Sequence, residues 1–482
     1  MWTVDRMAMY DKNLSAVALV ALSFTSVASA AVHDVGPGKR YTSIGAAPWS
    51  TLMPGDVVNI YWRAEPYVEK WLINRSGAAG KPITVRGIPS ARGELPVIDG
   101  NNARTPAEPE FWNEDRGVIK IGGGAGVEVP SYINIEQLDL MGGRLGNFFY
   151  TRSGARAAYI ENAAGLFVER GTNINIRRCI FRENGDGLFL AGGAQYQTRD
   201  ILVERNYFHD NGYVGSDQHH NVYANSINVV YQYNRLIMKA NQQGNNLKDR
   251  SANCVIRYNW VEGGNRQLDI VQAYVPEIIN QPGYHDAYAY GNILIDYRGY
   301  DNPQITNFGG DSPDLNTYRR GTFYFYNNTI ISYRADETEV VRVGHPDGRV
   351  DMRNNLVHAP LGPLKISEMR GTVDMRNNLL KPGWTGIAYS GGNGVVNDLG
   401  GNVASNFPGF LNEAAQDFRI ASDSPAVNRG AKPPAFAMPL HDLTTEYVRH
   451  SFFQGRLRDG ILDIGAFEYV PLFGTPMVGL FR

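Results

Sequence analysis

Residues 349–357 (RVDMRNNLV) and residues 372–380 (TVDMRNNLL) repeat nearly letter for letter, and the same pattern returns through the middle of the chain. Each copy is a short strand of alternating character, followed by Asn and another apolar pair. The other copies are residues 173–181 (NINIRRCIF), 201–208 (ILVERNYF), 227–237 (INVVYQYNRLI), 255–261 (VIRYNWV), 287–294 (AYAYGNIL) and 322–330 (TFYFYNNTI). Such a repeat predicts a solenoid with one coil per copy.

The recurrent Asn measures the length of each coil. It stands at Asn206, Asn234, Asn259, Asn292, Asn328, Asn355, Asn378 and Asn402, with Cys179 at the equivalent place in the earliest copy. The intervals are 27, 28, 25, 33, 36, 27, 23 and 24 residues. A period of about 25 residues with β alternation, and without a Leu-rich consensus, predicts an all-β, right-handed parallel β-helix. Stacked about 4.8 Å apart, these amides would bond to one another as an asparagine ladder.

Composition excludes several classes of protein. The 482 residues carry 46 Lys and Arg against 48 Asp and Glu, a formal net charge of -2, so nucleic acid is not an expected partner. After the N-terminus no run reaches about 18 apolar residues, so no membrane span is expected. We expect a monomer.

The N-terminus resembles an export signal. An apolar run over residues 14–27 leads into Ala28-Ser29-Ala30, the small-x-small pattern that signal peptidase cleaves. We therefore predict a signal peptide over residues 1–30 and a secreted or periplasmic protein. The β-helix with its N-terminal cap is expected over residues 31–405, and a C-terminal capping segment packed on it over residues 406–482. Residues 42–52 (TSIGAAPWSTL) predict a short amphipathic capping helix.

The two cysteines are expected to be free. Cys179 and Cys254 lie about three coils apart, roughly 14 Å along the axis, which is beyond the reach of a disulfide. Both should be buried thiols.

Three neighbouring copies place polar residues on their strands. They contain residues 220–223 (HNVY), 246–250 (NLKDR) and 267–270 (QLDI). If Val222, Leu247 and Leu268 point inward, alternation predicts two outward columns. The columns are Asn221, Asn246 and Gln267, and Tyr223, Lys248 and Asp269, flanked by His219, His220 and Arg250. A phenol, an ammonium and a carboxylate in one column are more than a solvated face requires.

These residue types suit uronate β-elimination, which removes the C5 proton next to a carboxylate and must neutralise that carboxylate. We assign the base to Lys248, the proton donor to Tyr223 or His220, and carboxylate binding to Arg250 with Asn246 or Asn221. Asp269, His219 and Gln267 complete the set of residues predicted to bind the substrate. The expected partner is therefore an acidic polysaccharide or oligosaccharide. Lys is a capable base only if its pKa is lowered. A salt bridge between Lys248 and Asp269 would raise that pKa instead.

Motifs outside the repeat carry a family resemblance. Residues 54–56 (PGD), 82–87 (PITVRG), 96–100 (PVIDG), 424–430 (SPAVNRG) and 463–469 (DIGAFEY) resemble exported right-handed β-helix proteins of the pectate-lyase-like superfamily. The resemblance covers nearly all of the mature chain and implies the fold. It does not imply one activity, since this scaffold carries lyases, hydrolases, epimerases and adhesins.

Residues 246–272 resemble the catalytic coils of polysaccharide lyase family 6, the alginate and dermatan lyases. In that family a Lys opening a K-S-S-like turn is the base and an Arg one coil later is the acid. Lys248 matches the first position, whereas Asp269 stands at the second in place of Arg.

Two long intervals predict a groove. Their excess falls in residues 273–285 and 299–320, and insertions of this kind usually wall one face of a solenoid. Ten tyrosines between Tyr274 and Tyr333 could stack on sugar faces there.

Other chemistries stay open. Asp186, Asp210 and Asp217 are candidate Ca²⁺ ligands, and His209 with His219 and His220 a weaker zinc set. An inverting glycoside hydrolase would use two of Asp186, Asp217 and Asp269, about 6.5–9.5 Å apart. A non-catalytic carbohydrate-binding or surface structural protein is the alternative from another class.

Overall fold

The structure, a computed structural model, describes residues 30–123, 128–194, 197–239, 241–368, 370–388 and 392–471. The predicted signal peptide, apart from Ala30, lies outside the described residues.

Three long parallel sheets wind along the described chain, with 11, 13 and 11 strands. We call them sheets 1, 2 and 3 in the order in which one coil visits them. A representative coil passes through Val222–Ala224 in sheet 1, Ile227–Gln232 in sheet 2 and Arg235–Ile237 in sheet 3, then returns to sheet 1 at Leu247–Asp249. The predicted right-handed parallel β-helix is confirmed.

Short strands separated by tight corners make up every coil. Sheet 1 contains Trp71–Ile73, Gly117–Ile121, Ala164–Val168, Asp186–Leu190, Val222–Ala224, Leu247–Asp249, Leu268–Ile270, Gln304–Phe308, Thr338–Val343, Leu364–Ser367 and Thr385–Ile387. Sheet 2 contains Val32–Val35, Val57–Tyr61, Ile83–Ile88, Ser131–Glu136, Gly171–Arg177, Thr198–Glu204, Ile227–Gln232, Ala252–Arg257, Ala287–Tyr290, Thr322–Tyr326, Arg349–Arg353, Thr372–Arg376 and Val395–Asp398. Sheet 3 contains Val97–Asp99, Asp139–Met141, Ile180–Arg182, Tyr207–His209, Arg235–Ile237, Trp260–Glu262, Ile293–Asp296, Thr329–Ser332, Leu356–His358, Leu379–Leu380 and Val403–Ala404.

The remaining elements are short. A small sheet joins Ala103–Arg104, Phe148–Tyr150 and Arg156–Ala158, and two hairpins pair Phe410–Asn412 with Asp417–Ile420 and Thr445–Val448 with Phe452–Gly455. One α-helical turn covers Pro276–Ile279. The 3-10 turns are Ile44–Ala46, Trp49–Thr51, Glu114–Arg116, Leu315–Thr317, Glu413–Ala415 and Ala435–Ala437.

Inward-facing residues stack from coil to coil and form the core. In sheet 2 one such column runs through Ile174, Ile201, Val229, Cys254, Ala287, Phe323, Val350 and Val373, all buried. Cys254 is therefore a small core side chain, and Cys179 is buried at the corner between sheets 2 and 3. Both cysteines are free, as predicted.

The predicted asparagine ladder occupies the corner between sheets 2 and 3. From Asn206 to Asn402, each Nδ2 donates to the Oδ1 of the next rung over 3.0–3.2 Å. The residue before each rung has a left-handed backbone, for example Tyr233 at φ 56° and Tyr258 at φ 54°. The ladder also binds backbone carbonyls, such as that of Tyr231 from Asn259, and so satisfies a buried corner that water does not reach.

The front cap differs from the prediction. The segment expected to be an amphipathic helix forms the two 3-10 turns Ile44–Ala46 and Trp49–Thr51, with Pro48 between them. Proline lacks the backbone N–H that a continuous helix would need there. The apolar side is nevertheless buried, and Trp49 stacks on Trp71 with ring centroids 5.4 Å apart.

The C-terminal segment packs along the side of the solenoid. Phe418, Tyr447 and Phe467 join Trp260 and Ile293 in one apolar cluster on the outside of sheet 3. Among the described residues, no hydrogen bond or ion pair links positions 406–471 to a strand of sheet 1. The polar contacts of this segment therefore lie outside sheet 1, while the division of the chain at residue 405 stays a prediction.

Candidate active site

One column of side chains follows the outer face of sheet 1. Strand register places Tyr223 opposite Lys248, and Lys248 opposite Asp269, in consecutive coils, as expected. The column contains, in order, Lys120, Phe167, Phe189, Tyr223, Lys248, Asp269, Asn307 and Arg342. The column is aromatic from Phe167 to Tyr223, and it is charged or polar from Lys248 to Arg342.

Loops border this column at both ends. On the aromatic side, the guanidinium of Arg116 lies over the rings of Phe167 and Phe189, at 4.7 and 4.9 Å from their centroids. On the charged side, Asp311 from the long insertion reaches Lys248. Beyond it lies a cavity of about 240 Å³, lined by Ser312, Pro313, Leu315, Tyr318, Arg342, Gly344 and Arg370. Part of the predicted 299–320 insertion thus borders the groove.

Tyr223 and Arg250 form the central polar contact. The Nε of Arg250 donates to the hydroxyl oxygen of Tyr223 over 2.9 Å, and its Nη1 donates to the carbonyl of Gln272 over 2.6 Å. Arg250 also lies over the ring of Tyr274, 4.4 Å from the centroid. Burial would lower the pKa of Arg250, but Tyr223 and Asp311 raise it, so the guanidinium stays charged. Because the Tyr223 oxygen accepts this bond, its own O–H proton is free to be donated.

Lys248 does not meet the condition for a base. Its Nζ lies 2.6 Å from Asp269 Oδ2 and 2.6 Å from Asp311 Oδ2. Burial would lower the pKa of Lys248, but these two carboxylates outweigh it and the pKa is raised. The ammonium form is therefore stabilised, and the assignment of Lys248 as the base is corrected.

Asp269 is an internal anchor of the site. Its carboxylate is fully buried and accepts bonds from Asn245 Nδ2 and Asn307 Nδ2, each 2.9 Å long. Burial would raise the pKa of Asp269, but Lys248 and Arg266 lower it well below its usual range. Asp269 therefore lies in the predicted column, with its carboxylate surrounded by neighbouring side chains. Its contact with a substrate stays a prediction.

His220 is held as a neutral ring. Its Nδ1 accepts the backbone N–H of Asn245 over 3.0 Å, so the neutral ring carries its proton on Nε2. Burial, followed by the charge of Lys248, lowers the pKa of His220 well below its usual value. The ring stacks on Tyr223 with centroids 5.7 Å apart. His220 is consequently suited to donate a hydrogen bond and poorly suited to act as an acid.

His219 belongs to a different environment. Its Nδ1 lies 2.8 Å from Ser216 Oγ, and its ring packs edge-on against Tyr213. Burial lowers the pKa of His219 more than Glu161 and Asp217 raise it. The structure does not join His219 to the groups around Lys248 by any contact among the described residues.

The predicted outward orientation of Asn221, Asn246 and Gln267 is wrong. All three are fully buried at the corner between sheets 3 and 1. Asn221 Nδ2 donates to Asn246 Oδ1 over 2.7 Å, and Asn246 and Gln267 both donate to the carbonyl of Gly263. These residues precede their strands, where strand alternation does not apply and corner carbonyls need donors. They therefore support the scaffold and do not face a substrate.

The candidate metal ligands are not brought together. The buried Asp186 accepts the backbone N–H of His220 over 2.7 Å, whereas the exposed Asp217 accepts from Gln218. His209 Nδ1 instead lies 2.6 Å from Asp210 Oδ2. Within the part of the chain that the structure describes, no three His, Cys, Asp or Glu side chains form a group that could hold a metal ion.

Four residues at the site were not assigned a role from the sequence. Asn307 stands one coil beyond Asp269 in strand register, so the column could have been extended to it. Asp311 and Gln272 come from irregular segments, in which no repeat fixes the neighbours of a side chain. Tyr274 falls within the predicted tyrosine cluster, and its contact with Arg250 places it at the groove.

Comparison with known proteins adds to the description of the fold. No protein-family model matches the sequence, and no curated protein is similar to it in sequence. Among solved structures, it is similar to pectate lyase Pel9A, with 12% identity and a TM-score of 0.49 over 92% of this chain and 97% of that one. An alginate lyase from Paenibacillus sp. str. FPU-7 gives 12% identity and a TM-score of 0.47 over 76% and 99%. The GH136 lacto-N-biosidase from Eubacterium ramulus gives 12% identity and a TM-score of 0.41, over 78% of this chain and 68% of that one.

The names of these three proteins include two lyases and a glycoside hydrolase, so such a likeness does not distinguish the two reactions. Among the residues that the structure describes, no helix has the length and apolar character that a membrane crossing requires.

Proposed function

We propose that the chain is an exported polysaccharide lyase that cleaves a uronate-containing polysaccharide by β-elimination. The observation that carries this proposal is the 2.9 Å hydrogen bond from Arg250 to the Tyr223 hydroxyl, in the outward column of sheet 1. It places a group that can exchange a proton next to a fixed cation, and β-elimination at a uronate needs both.

In the proposed reaction Tyr223 acts twice. The Tyr223 hydroxyl first releases its proton to solvent, and the resulting phenoxide beside Arg250 takes the C5 proton. The C5 electron pair forms the C4–C5 double bond while the bond from C4 to the leaving oxygen breaks. The resulting Tyr223 hydroxyl then returns the proton to that oxygen, so that protons and charge balance. One group serves both steps because Lys248 is held as an ammonium ion and His220 as a neutral donor.

The other groups bind and orient the sugar. Arg250 is the proposed partner of the uronate carboxylate, because its guanidinium is charged and reaches the same point as Tyr223. Phe189 stacks on Tyr223 with centroids 4.8 Å apart, and the exposed Tyr274 lies across Arg250. Such rings form platforms for the apolar faces of sugars. In the free protein Lys248 forms ion pairs with Asp269 and Asp311.

One observation favours glycoside hydrolysis as a second candidate. Burial raises the pKa of Asp186 to about 8, whereas Lys248 and Arg250 overcome the effect of burial and lower the pKa of Asp311. An inverting hydrolase uses one protonated and one ionised carboxyl group, about 6.5–9.5 Å apart. The strand of Asp186 lies four coils before the strand that leads into Asp311. Asp186 is buried, however, which places the lyase first.

A substrate screen tests the proposal. The purified protein is incubated with a panel of polyuronates and neutral polysaccharides, and both the ultraviolet absorbance of unsaturated uronates and new reducing ends are followed. The lyase predicts that both signals rise together on a polyuronate. Reducing ends without the absorbance identify a hydrolase, and binding without cleavage identifies a carbohydrate-binding protein. Mass spectrometry of protein from the culture medium or periplasm tests export, with a mature N-terminus at Ala31 expected.

A further inference from the structure

Asp311 is held by more polar groups than its place on an exposed loop requires. Its Oδ2 lies 2.6 Å from Lys248 Nζ, and its Oδ1 accepts from Gln272 Nε2 over 3.1 Å. Arg250 Nη1 lies 3.5 Å from the same Oδ1. The backbone N–H of Asp311 also donates to Gln272 Oε1 over 2.8 Å. Two cations and an amide therefore converge on one carboxylate that the loop supplies.

The charges beneath Asp311 are balanced only while it is present. Lys248 keeps a second carboxylate, Asp269, at 2.6 Å. Within the described residues, the partners of Arg250 other than Asp311 are neutral: the Tyr223 hydroxyl, the Gln272 carbonyl and the Tyr274 ring. If Asp311 moved away, one buried guanidinium would lack a counter-charge, a costly state that favours the entry of another carboxylate.

The loop does not depend on Asp311 for its attachment. The fully buried guanidinium of Arg319 donates to the carbonyls of Val271, Tyr284 and Ser251 over 3.0, 2.7 and 2.7 Å. Two residues before Asp311, Gly309 has a φ of +123°, which other residues rarely adopt. The Asp311 side chain can therefore leave its partners while the far end of the loop stays anchored.

We propose that Lys248, Arg250 and Gln272 form a carboxylate-binding site, that Asp311 occupies it in the free protein, and that a uronate carboxylate of the substrate replaces Asp311. This inference rests on the proposed function, because the group that takes the place of Asp311 is the uronate carboxylate that β-elimination must neutralise. Arg250 contacts both the Tyr223 hydroxyl and Asp311, so a uronate bound there presents the carbon next to its carboxylate on the Tyr223 side.

Binding to inactivated protein tests the displacement. Tyr223→Phe is combined with Asp311→Ala or Asp311→Asn, and calorimetry measures the Kd for oligogalacturonate, oligoalginate and a neutral cello-oligosaccharide. Removing a resident competitor raises the fraction of competent sites, so the Kd for a uronate should fall about fivefold or more. The neutral probe should be unaffected. The control Asp423→Ala removes an equal charge at an exposed position and should change no Kd.

The outcomes separate this inference from the function on which it rests. Unchanged or weaker uronate binding by both Asp311 variants, or no binding of any uronate, overturns the inference. If wild-type protein still forms unsaturated product in that case, the lyase stands without the displacement. If the Asp311 variants bind uronate more tightly but the wild-type protein forms no unsaturated product, the carboxylate site is supported and the lyase is contradicted.

Discussion

The hydroxyl oxygen of Tyr223 accepts a 2.9 Å hydrogen bond from Arg250 Nε, although the two residues are 27 positions apart in sequence. The winding of the chain brings them together, since each coil lies about 4.8 Å from the next. The guanidinium is fixed by its bond to the Gln272 carbonyl, so the phenol meets a preorganised positive charge.

Tyr223→Phe is predicted to abolish most of the activity without unfolding the protein. Proton transfer by a positioned side chain typically contributes about 10²–10⁴-fold to a rate, so kcat should fall by about 100-fold or more. The ring and its stacking on Phe189 are retained. Tyr274→Phe is the matched control, and it should keep kcat within about threefold because its ring contact with Arg250 does not use the hydroxyl. Equal losses in both variants would contradict the role of Tyr223.

Lys248→Met is predicted to destabilise the fold. It leaves the fully buried Asp269 without the ammonium 2.6 Å away, and breaking such a pair costs about 3 kcal/mol. The double variant Lys248→Met/Asp269→Asn should recover part of that loss in urea unfolding. Arg86→Met, which removes a more exposed ion pair with Glu136, should cost under about 1 kcal/mol. Equal costs for the two single variants would show that Lys248 is not a buried anchor.

Asp186→Asn is predicted to stabilise the protein increasingly as the pH rises. Burial raises the pKa of Asp186 from 3.8 to about 8 in the folded state. Between these values the folded chain holds a proton that the unfolded chain releases, so the wild type loses stability with rising pH. The variant lacks this loss, so its free energy of unfolding relative to wild type should rise by up to about 1.4 kcal/mol per pH unit. Urea unfolding at pH 5 and pH 8 measures the difference, and a constant difference would contradict the burial of an uncharged Asp186.

Asn259→Ala is predicted to weaken the asparagine ladder at its centre. The substitution removes bonds to the carbonyls of Tyr231 and Arg257 and to two neighbouring rungs, in a corner that water does not reach. Unsatisfied buried groups cost about 1–3 kcal/mol each, so a loss of several degrees in Tm is expected. Asn402→Ala, at the last rung of the ladder, should lower the Tm by less than Asn259→Ala. A larger loss at Asn402 would contradict this account of the corner.

Repetition makes the fold and the central column predictable. The Asn at each corner fixes the register, and the buried partners Val222, Leu247 and Leu268 fix which neighbours face outward. Tyr223, Lys248 and Asp269 therefore align as the sequence predicts. The front cap is less predictable, because its apolar spacing resembles a helix while Pro48 limits it to two 3-10 turns.

The chemistry of the site is less predictable than its register. Asn221 and Asn246 turn inward because they precede their strands and serve corner carbonyls. Asp269 raises the pKa of Lys248, as its place in the column predicts, and Asp311 raises it further from an irregular loop 63 residues away. Loops of this kind obey no repeat, so their contacts appear only in three dimensions.

Product analysis tests the central claim most directly. The protein is incubated in D₂O with the polyuronate oligosaccharide that it cleaves, and proton NMR follows the sugar at the new non-reducing end. Elimination predicts that the C5 proton signal of that sugar disappears, that a vinylic C4 proton appears, and that Tyr223→Phe forms neither change. A product that keeps its C5 proton and gains a C4 hydroxyl would show hydrolysis and contradict the account.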